Sequence, residues 1–94
     1  MSVPAPKGFS RALAGIPEGT STGEACGKRY AATRTVFNAG RSTKLVAEAL
    51  DRSDYISLNY YDLAAGARLA PCEMPAPKVI AFVEAYRADR AVQS

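Results

Sequence analysis

The chain has 94 residues, is 48% hydrophobic and 22% charged, and carries a net charge of +3, which is the size and composition of a single globular domain. It contains no His, no Trp and only two Cys, Cys26 and Cys72; this removes the commonest general base and metal ligand, and it excludes a disulfide-built scaffold or a usual zinc site within one chain. No apolar run approaches the ~20 residues of a membrane span, and the first residues lack the continuous apolar segment of a secretory signal, so the expected setting is cytoplasmic, with reduced thiols and no membrane partner.

Residues 1–27 hold Pro4, Pro6 and Pro17 and a glycine at positions 8, 15, 19, 23 and 27. That composition buries too little apolar area to offset chain ordering, so a flexible N-terminal tail is expected. Within it, Phe9 to Ala14 can form one helical turn, with Ser10 as its cap and Gly15 as its stop. Lys7 and Arg11, with no acid in residues 1–17, resemble a transit peptide in charge, but Pro and Gly interrupt any long amphipathic helix there.

From Lys28 onward the pattern becomes that of a sheet. Tyr30 to Phe37 is rich in Thr, aromatic and β-branched residues and reads as a strand. Asn38-Ala39-Gly40 is a turn. Thr43 to Leu50 reads as the next strand, although its apolar spacing also fits a helix; pairing with both neighbours decides for the strand. Asp51-Arg52-Ser53-Asp54 is a turn, Tyr55 to Tyr61 a third strand, and Arg68 to Cys72 a short fourth strand after a loop through Gly66. Closing the 51–54 turn with Leu50 opposite Tyr55 sets Ala49 against Ile56, Ala47 against Leu58 and Leu45 against Tyr60, all on a core face. The other face then collects Lys44, Val46, Glu48 and Leu50 opposite Tyr55, Ser57, Asn59 and Tyr61. Pairing Phe37 with Thr43 adds Ala31, Thr33, Thr35 and Phe37 to the core and places Tyr30, Ala32, Arg34 and Val36 outside. A slip of one residue would reverse those assignments.

The last segment is the clearest helix. Val79, Phe82, Val83 and Tyr86 form one apolar stripe with Ile80 beside it. Pro75 and Pro77 are tolerated only in a first turn and so mark the start, and Glu73 stands where a negative charge favours a helix N-terminus. The stripe must bury against the sheet's core face. The expected architecture is therefore α+β: a four-stranded antiparallel meander with one C-terminal helix packed on one face, forming a single ββββα domain over residues 28–94.

Four stretches make this arrangement resemble a known family. They are Gly27-Lys28-Arg29-Tyr30 opening a strand, Lys44-Leu45-Val46 in the second strand, Tyr55-Ile56-Ser57-Leu58 in the third, and Ala67-Arg68-Leu69-Ala70-Pro71 running through Pro75 into the helix. In strand order and spacing over residues 28–88 the chain resembles the single-stranded-DNA-binding transcriptional-coactivator family, whose members are ββββα dimers. The resemblance implies a homodimer and a basic-aromatic sheet surface that holds an unpaired strand.

The charge distribution points the same way. Residues 1–45 carry seven basic and two acidic residues, a balance of +5, and the remainder carries −2. No acid occurs between Glu24 and Glu48, and such a stripe suits a polyanion. On the face expected to be exposed, Tyr30, Tyr55 and Tyr61 would stack on bases, Arg34 and Lys44 would neutralise phosphates, and Asn59 would bond a base edge. Glu48 lies amid them and opposes phosphate. The function expected is thus a small non-enzymatic binding module for single-stranded DNA or RNA, with no metal or cofactor. The alternative is a protein-interaction or homodimerisation domain using the same face, since aromatic residues and Arg are enriched at interfaces. Cys72 near a helix start is a candidate redox or nucleophilic thiol, but Glu73 opposes the helix dipole there and no His serves as base. Asp51 and Asp54 suit turn positions, where their side chains bond local backbone.

Overall fold

The computed structural model describes residues 2–89. Along the chain come β1 (Val3–Pro4), α1 (Phe9–Ala14), β2 (Gly19–Ala25), β3 (Lys28–Phe37), β4 (Ser42–Ala49), β5 (Tyr55–Leu63), β6 (Gly66–Pro71), α2 (Ala76–Ala85) and β7 (Arg87–Ala88). The seven strands form one sheet in the order β1-β6-β5-β4-β3-β2-β7, and every neighbouring pair is antiparallel. The fold is α+β, a meander-like antiparallel sheet with the C-terminal helix packed on it. α1 packs beside α2 on the same face.

The expected four strands are therefore seven, and the difference comes mostly from the N-terminus. Residues 1–27, read from composition as a flexible tail, supply β1, α1 and β2. Phe9, Leu13 and Ile16 are among the most buried side chains of the molecule. They recur at the spacing of one helical face, which a whole-segment composition hides. Phe9 packs against Tyr60 with the rings tilted by 37° and their centroids 5.8 Å apart. The helix spans the residues expected, but Gly8, not Ser10, is its N-cap, with φ 85°. β2 needs few apolar side chains of its own, because it pairs along its whole length with β3, from Gly19↔Arg34 to Ala25↔Lys28.

The β4–β5 hairpin keeps the expected faces but not the expected register. Ala47 pairs with Ile56, Leu45 with Leu58 and Thr43 with Tyr60, two residues away from the tight-turn alignment. A shift of two leaves each side chain on its own face, so Leu45, Ala47, Ala49, Ile56, Leu58 and Tyr60 are all buried. The loop is wider because Asp51 organises it: its Oδ1 accepts from both the backbone N and the Oγ of Ser53, and Arg52 takes the left-handed conformation at φ 64°.

On β3 the difference is one residue, and it does reverse the faces. Phe37 pairs with Ser42, and Val36 with Thr43. The connecting loop runs with Asn38, Ala39 and Gly40 all at positive φ and closes one residue earlier than expected. Tyr30 and Ala32 are consequently in the core, and Phe37, Thr33 and Thr35 are exposed. Packing explains the choice: Tyr30 meets Phe82 of α2 edge to face at 4.8 Å, and its hydroxyl donates to Asp54 Oδ2 at 2.7 Å.

α2 buries the expected stripe of Val79, Phe82 and Val83, with Tyr86 at its C-cap. Phe82 and Tyr86 stack at 5.2 Å, and the Tyr86 hydroxyl shares a 2.9 Å hydrogen bond with Ser21 Oγ. Pro75 is the N-cap, in extended conformation, and Pro77 lies in the first turn. Glu73 lies outside that turn, which contains no acid. Beyond the helix, β7 closes the β2 edge at Gly23. A side chain there would collide with the Arg87 carbonyl oxygen, so glycine permits that close backbone approach. Among the described residues no helix is long and apolar enough to cross a membrane.

Candidate binding surface

Because both helices lie on one side, the sheet has a second side that no helix among the described residues covers. The registers arrange its outward residues in rows. Thr22, Ala31, Glu48 and Tyr55 form one row; Thr20, Thr33, Val46 and Ser57 form the next. Thr35, Lys44, Asn59 and Ala70 follow, and then Phe37, Ser42, Tyr61 and Arg68. The middle is low and small-residued, with Ser57 shadowed to 5% exposure. The ends carry bulk: Phe37 is 41%, Tyr55 49% and Leu63 51% exposed. Near Tyr61 and Leu63 the surface dips into an open depression of about 710 Å³, bounded also by Asn38, Arg41 and Asp62.

The six residues expected to form a nucleic-acid site divide between the two sides. Lys44, Tyr55, Asn59 and Tyr61 share the helix-free face. Tyr30 and Arg34 do not join them, which corrects the outer-face assignment made from sequence. Tyr30 lies in the core. Arg34 is half-buried on the helix side, where its Nε donates to the Ile16 carbonyl at 2.6 Å. That bond ties the segment after α1 to β3, so the guanidinium already serves the fold. Asn59 itself contacts Cys72, with Nδ2 to Sγ at 3.8 Å. Cys26 and Cys72 are both free thiols.

Sequence reasoning missed the threonines of β2 and β3, together with Phe37 and Arg68. The period-2 alternation of Thr20, Thr22 and Glu24 against Ser21, Gly23 and Ala25 was available as a signal, but the glycines masked it. Arg68 is held by the N-terminal segment, its Nη2 donating to the Ser2 carbonyl at 2.9 Å.

The face is electrostatically mixed. Arg29 is engaged by Asp89 in an ion pair, and Thr22 Oγ1 donates to the same carboxylate at 3.0 Å. Hydrogen bonds from Arg29 and Thr22 hold the Asp89 carboxyl below its ordinary value. Lys44 and Glu48 oppose each other in sign on the same strand. On the other side, Asp54 accepts from Lys78 of α2 at 2.7 Å and from Tyr30, which lowers its pKa. Among the described residues no three His, Cys, Asp or Glu converge as metal ligands. No protein-family model, no curated protein and no solved structure matches the chain; what it shares with the coactivator family is an antiparallel sheet followed by a C-terminal helix.

Proposed function

We propose that the protein is a non-catalytic contact module that binds another protein through the helix-free face of its sheet. The observation that carries this reading is a broad sheet surface with a shallow centre of Thr, Ala, Ser and Val, rimmed by exposed Phe37, Tyr55 and Leu63. An antiparallel sheet commonly leaves one side to solvent, but that side is then mostly polar. Large apolar side chains held in the open on a rigid strand framework are the composition of an interface.

Single-stranded nucleic acid is the second reading, favoured by Lys44, Tyr55, Asn59 and Tyr61 sharing the face. Against it stand Glu48 and Glu24, the engagement of Arg29 by Asp89, and the absence of Tyr30 and Arg34 from this side. Two measurements separate the readings. A photocrosslinking amino acid placed at Thr33 should capture a protein in cells, and the same group at the exposed Ala81 of α2 should not. Labelled oligonucleotides followed by fluorescence polarisation should show no binding that depends on salt. Binding that weakens with a log–log slope of about −0.7 per phosphate contact would transfer the face to nucleic acid.

A further inference from the structure

The three outward positions of β4 are Lys44, Val46 and Glu48. Lys44 and Glu48 are exposed and Val46 is half-buried. At ~3.3 Å per residue the two charges stand ~6.6 Å from Val46, on opposite sides of it. The row through Val46 is uncharged, with Thr20 and Thr33 on one side and Ser57 on the other. The two charges of β4 are thus antisymmetric about Val46.

That antisymmetry has a geometric consequence. Let a second copy lie face to face with the first, related by a two-fold axis that runs between the sheets, across the strands and over Val46. β4 then lies antiparallel over its counterpart. Lys44 faces Glu48 of the partner subunit, and Glu48 faces Lys44 of the partner subunit. The same rotation sets Leu50, which is 56% exposed, over Ser42 of the partner subunit, between the partner's Phe37 and the partner's Tyr61. An axis running along β4 instead would set Lys44 on Lys44 and Glu48 on Glu48. Charge therefore selects the first arrangement, and symmetry forms both ion pairs at once.

The dimensions suit such a pairing. Stacked sheets sit ~10 Å apart with strands within ~30° of each other, a gap that a lysine and a glutamate extended toward each other span. Five strands at ~4.8 Å spacing and the ~26 Å from Ser42 to Leu50 give ~600 Å² of projected area per copy. Both copies together bury ~1,200 Å², the lower end of specific, stable interfaces. The small side chains of the central rows allow close approach, and Phe37, Tyr61 and Leu50 supply the apolar anchors.

We infer that the helix-free face is an isologous interface between two copies of this chain, centred on Val46 and set in register by two crossed Lys44–Glu48 ion pairs. The inference rests on the reading of this face as a protein contact and names the partner. Sedimentation velocity over a range of concentrations tests it. The wild-type chain should form a reversible dimer. Lys44→Glu and Glu48→Lys should each raise the dimer dissociation constant at least ~10-fold, because each faces like charge with like in both pairs. An equimolar mixture of the two variants should recover wild-type affinity, since each then meets the opposite charge. The doubly exchanged K44E/E48K chain should dimerise as the wild type does. Both positions are exposed, so circular dichroism of the single variants should match the wild type. Single variants that dimerise undiminished, or a mixture no tighter than its components, would overturn the arrangement. A monomeric chain that still captures a different protein from Thr33 would overturn the copy-to-copy pairing and leave the contact face standing. A monomer with no capture from Thr33 would overturn both.

Discussion

Tyr30 joins three parts of the molecule through one side chain. Its ring packs against Phe82 of α2, and its hydroxyl donates to Asp54, which also accepts from Lys78 of the same helix. The sheet, the β4–β5 loop and α2 thus meet at one partly buried polar contact. Burial and the hydrogen bond to Asp54 push the tyrosine pKa well above its ordinary 10.0. Removing the hydroxyl leaves the ring's packing intact and takes one donor from a carboxylate that keeps its lysine. Tyr30→Phe is therefore expected to cost about 1–2 kcal/mol, read as a lower urea midpoint with an unchanged slope. Sequence alone placed this residue on the binding surface. A strand's alternation states which residues share a face and not which face is covered, and a one-residue difference in the 38–41 loop decided the matter.

Among the elements, α1 is the one whose weight the sequence conceals. Its six residues include Phe9 and Leu13 in the core, and Ile16 follows just after it. The helix is too short to be stable alone; it persists by packing against α2 and Tyr60. Arg34 adds a side-chain bond to the Ile16 carbonyl. An ornamental N-terminal segment would tolerate truncation of Phe9. Phe9→Ala is instead expected to destabilise the whole domain by about 3–5 kcal/mol, as loss of a fully buried aromatic does. Chemical denaturation followed by both tyrosine fluorescence and circular dichroism should show one coincident, weakened transition. α2 behaved in the opposite way: its stripe and proline-marked start were both legible, because four apolar positions at helical spacing leave little freedom.

Across the whole molecule, charge and folding are coupled mainly through carboxylates. Asp51, Asp54 and Asp89 all lie below their ordinary value of 3.8 in the folded chain: Asp51 through hydrogen bonds from Ser53, Asp54 through Lys78 and then Tyr30, and Asp89 through Arg29 and then Thr22. A carboxyl with a depressed folded pKa contributes stability that is complete above its unfolded pKa, near pH 4, and is lost as pH falls through the folded value. The urea midpoint should therefore hold level from about pH 7 to pH 5 and decline below about pH 4. Asp54→Asn should flatten part of that decline. Tyr30 works in the other sense: its raised pKa makes its contribution complete below about pH 10 and lost as pH rises further. A midpoint that is flat down to pH 2 would contradict this account. The radius of gyration, 12.8 Å, is close to the roughly 12 Å of a compact single domain of this length. Both helices of the described residues lie on one side, so among those residues no helix covers the Val46 face.

What the sequence determined by itself was local: the strands from Tyr30 to Tyr61, the turns at Asn38 and Asp51, the buried alternation of Leu45, Ala47, Ile56 and Leu58, and the stripe of α2. These depend on periodicity and on residue-specific backbone preferences, and both can be read within a few positions. It also placed Lys44, Tyr55, Asn59 and Tyr61 together, since two strands in one hairpin fix their relative faces whether the register moves by zero or by two. Tertiary structure decided the rest. It chose which face of β3 is buried, because only α2 and Asp54 specify where Tyr30 goes. It drew residues 3–25 into the sheet and core, since β1 and β2 are ordered by partners far along the chain and not by their own composition. It put both helices on one side, and so made the other side a surface.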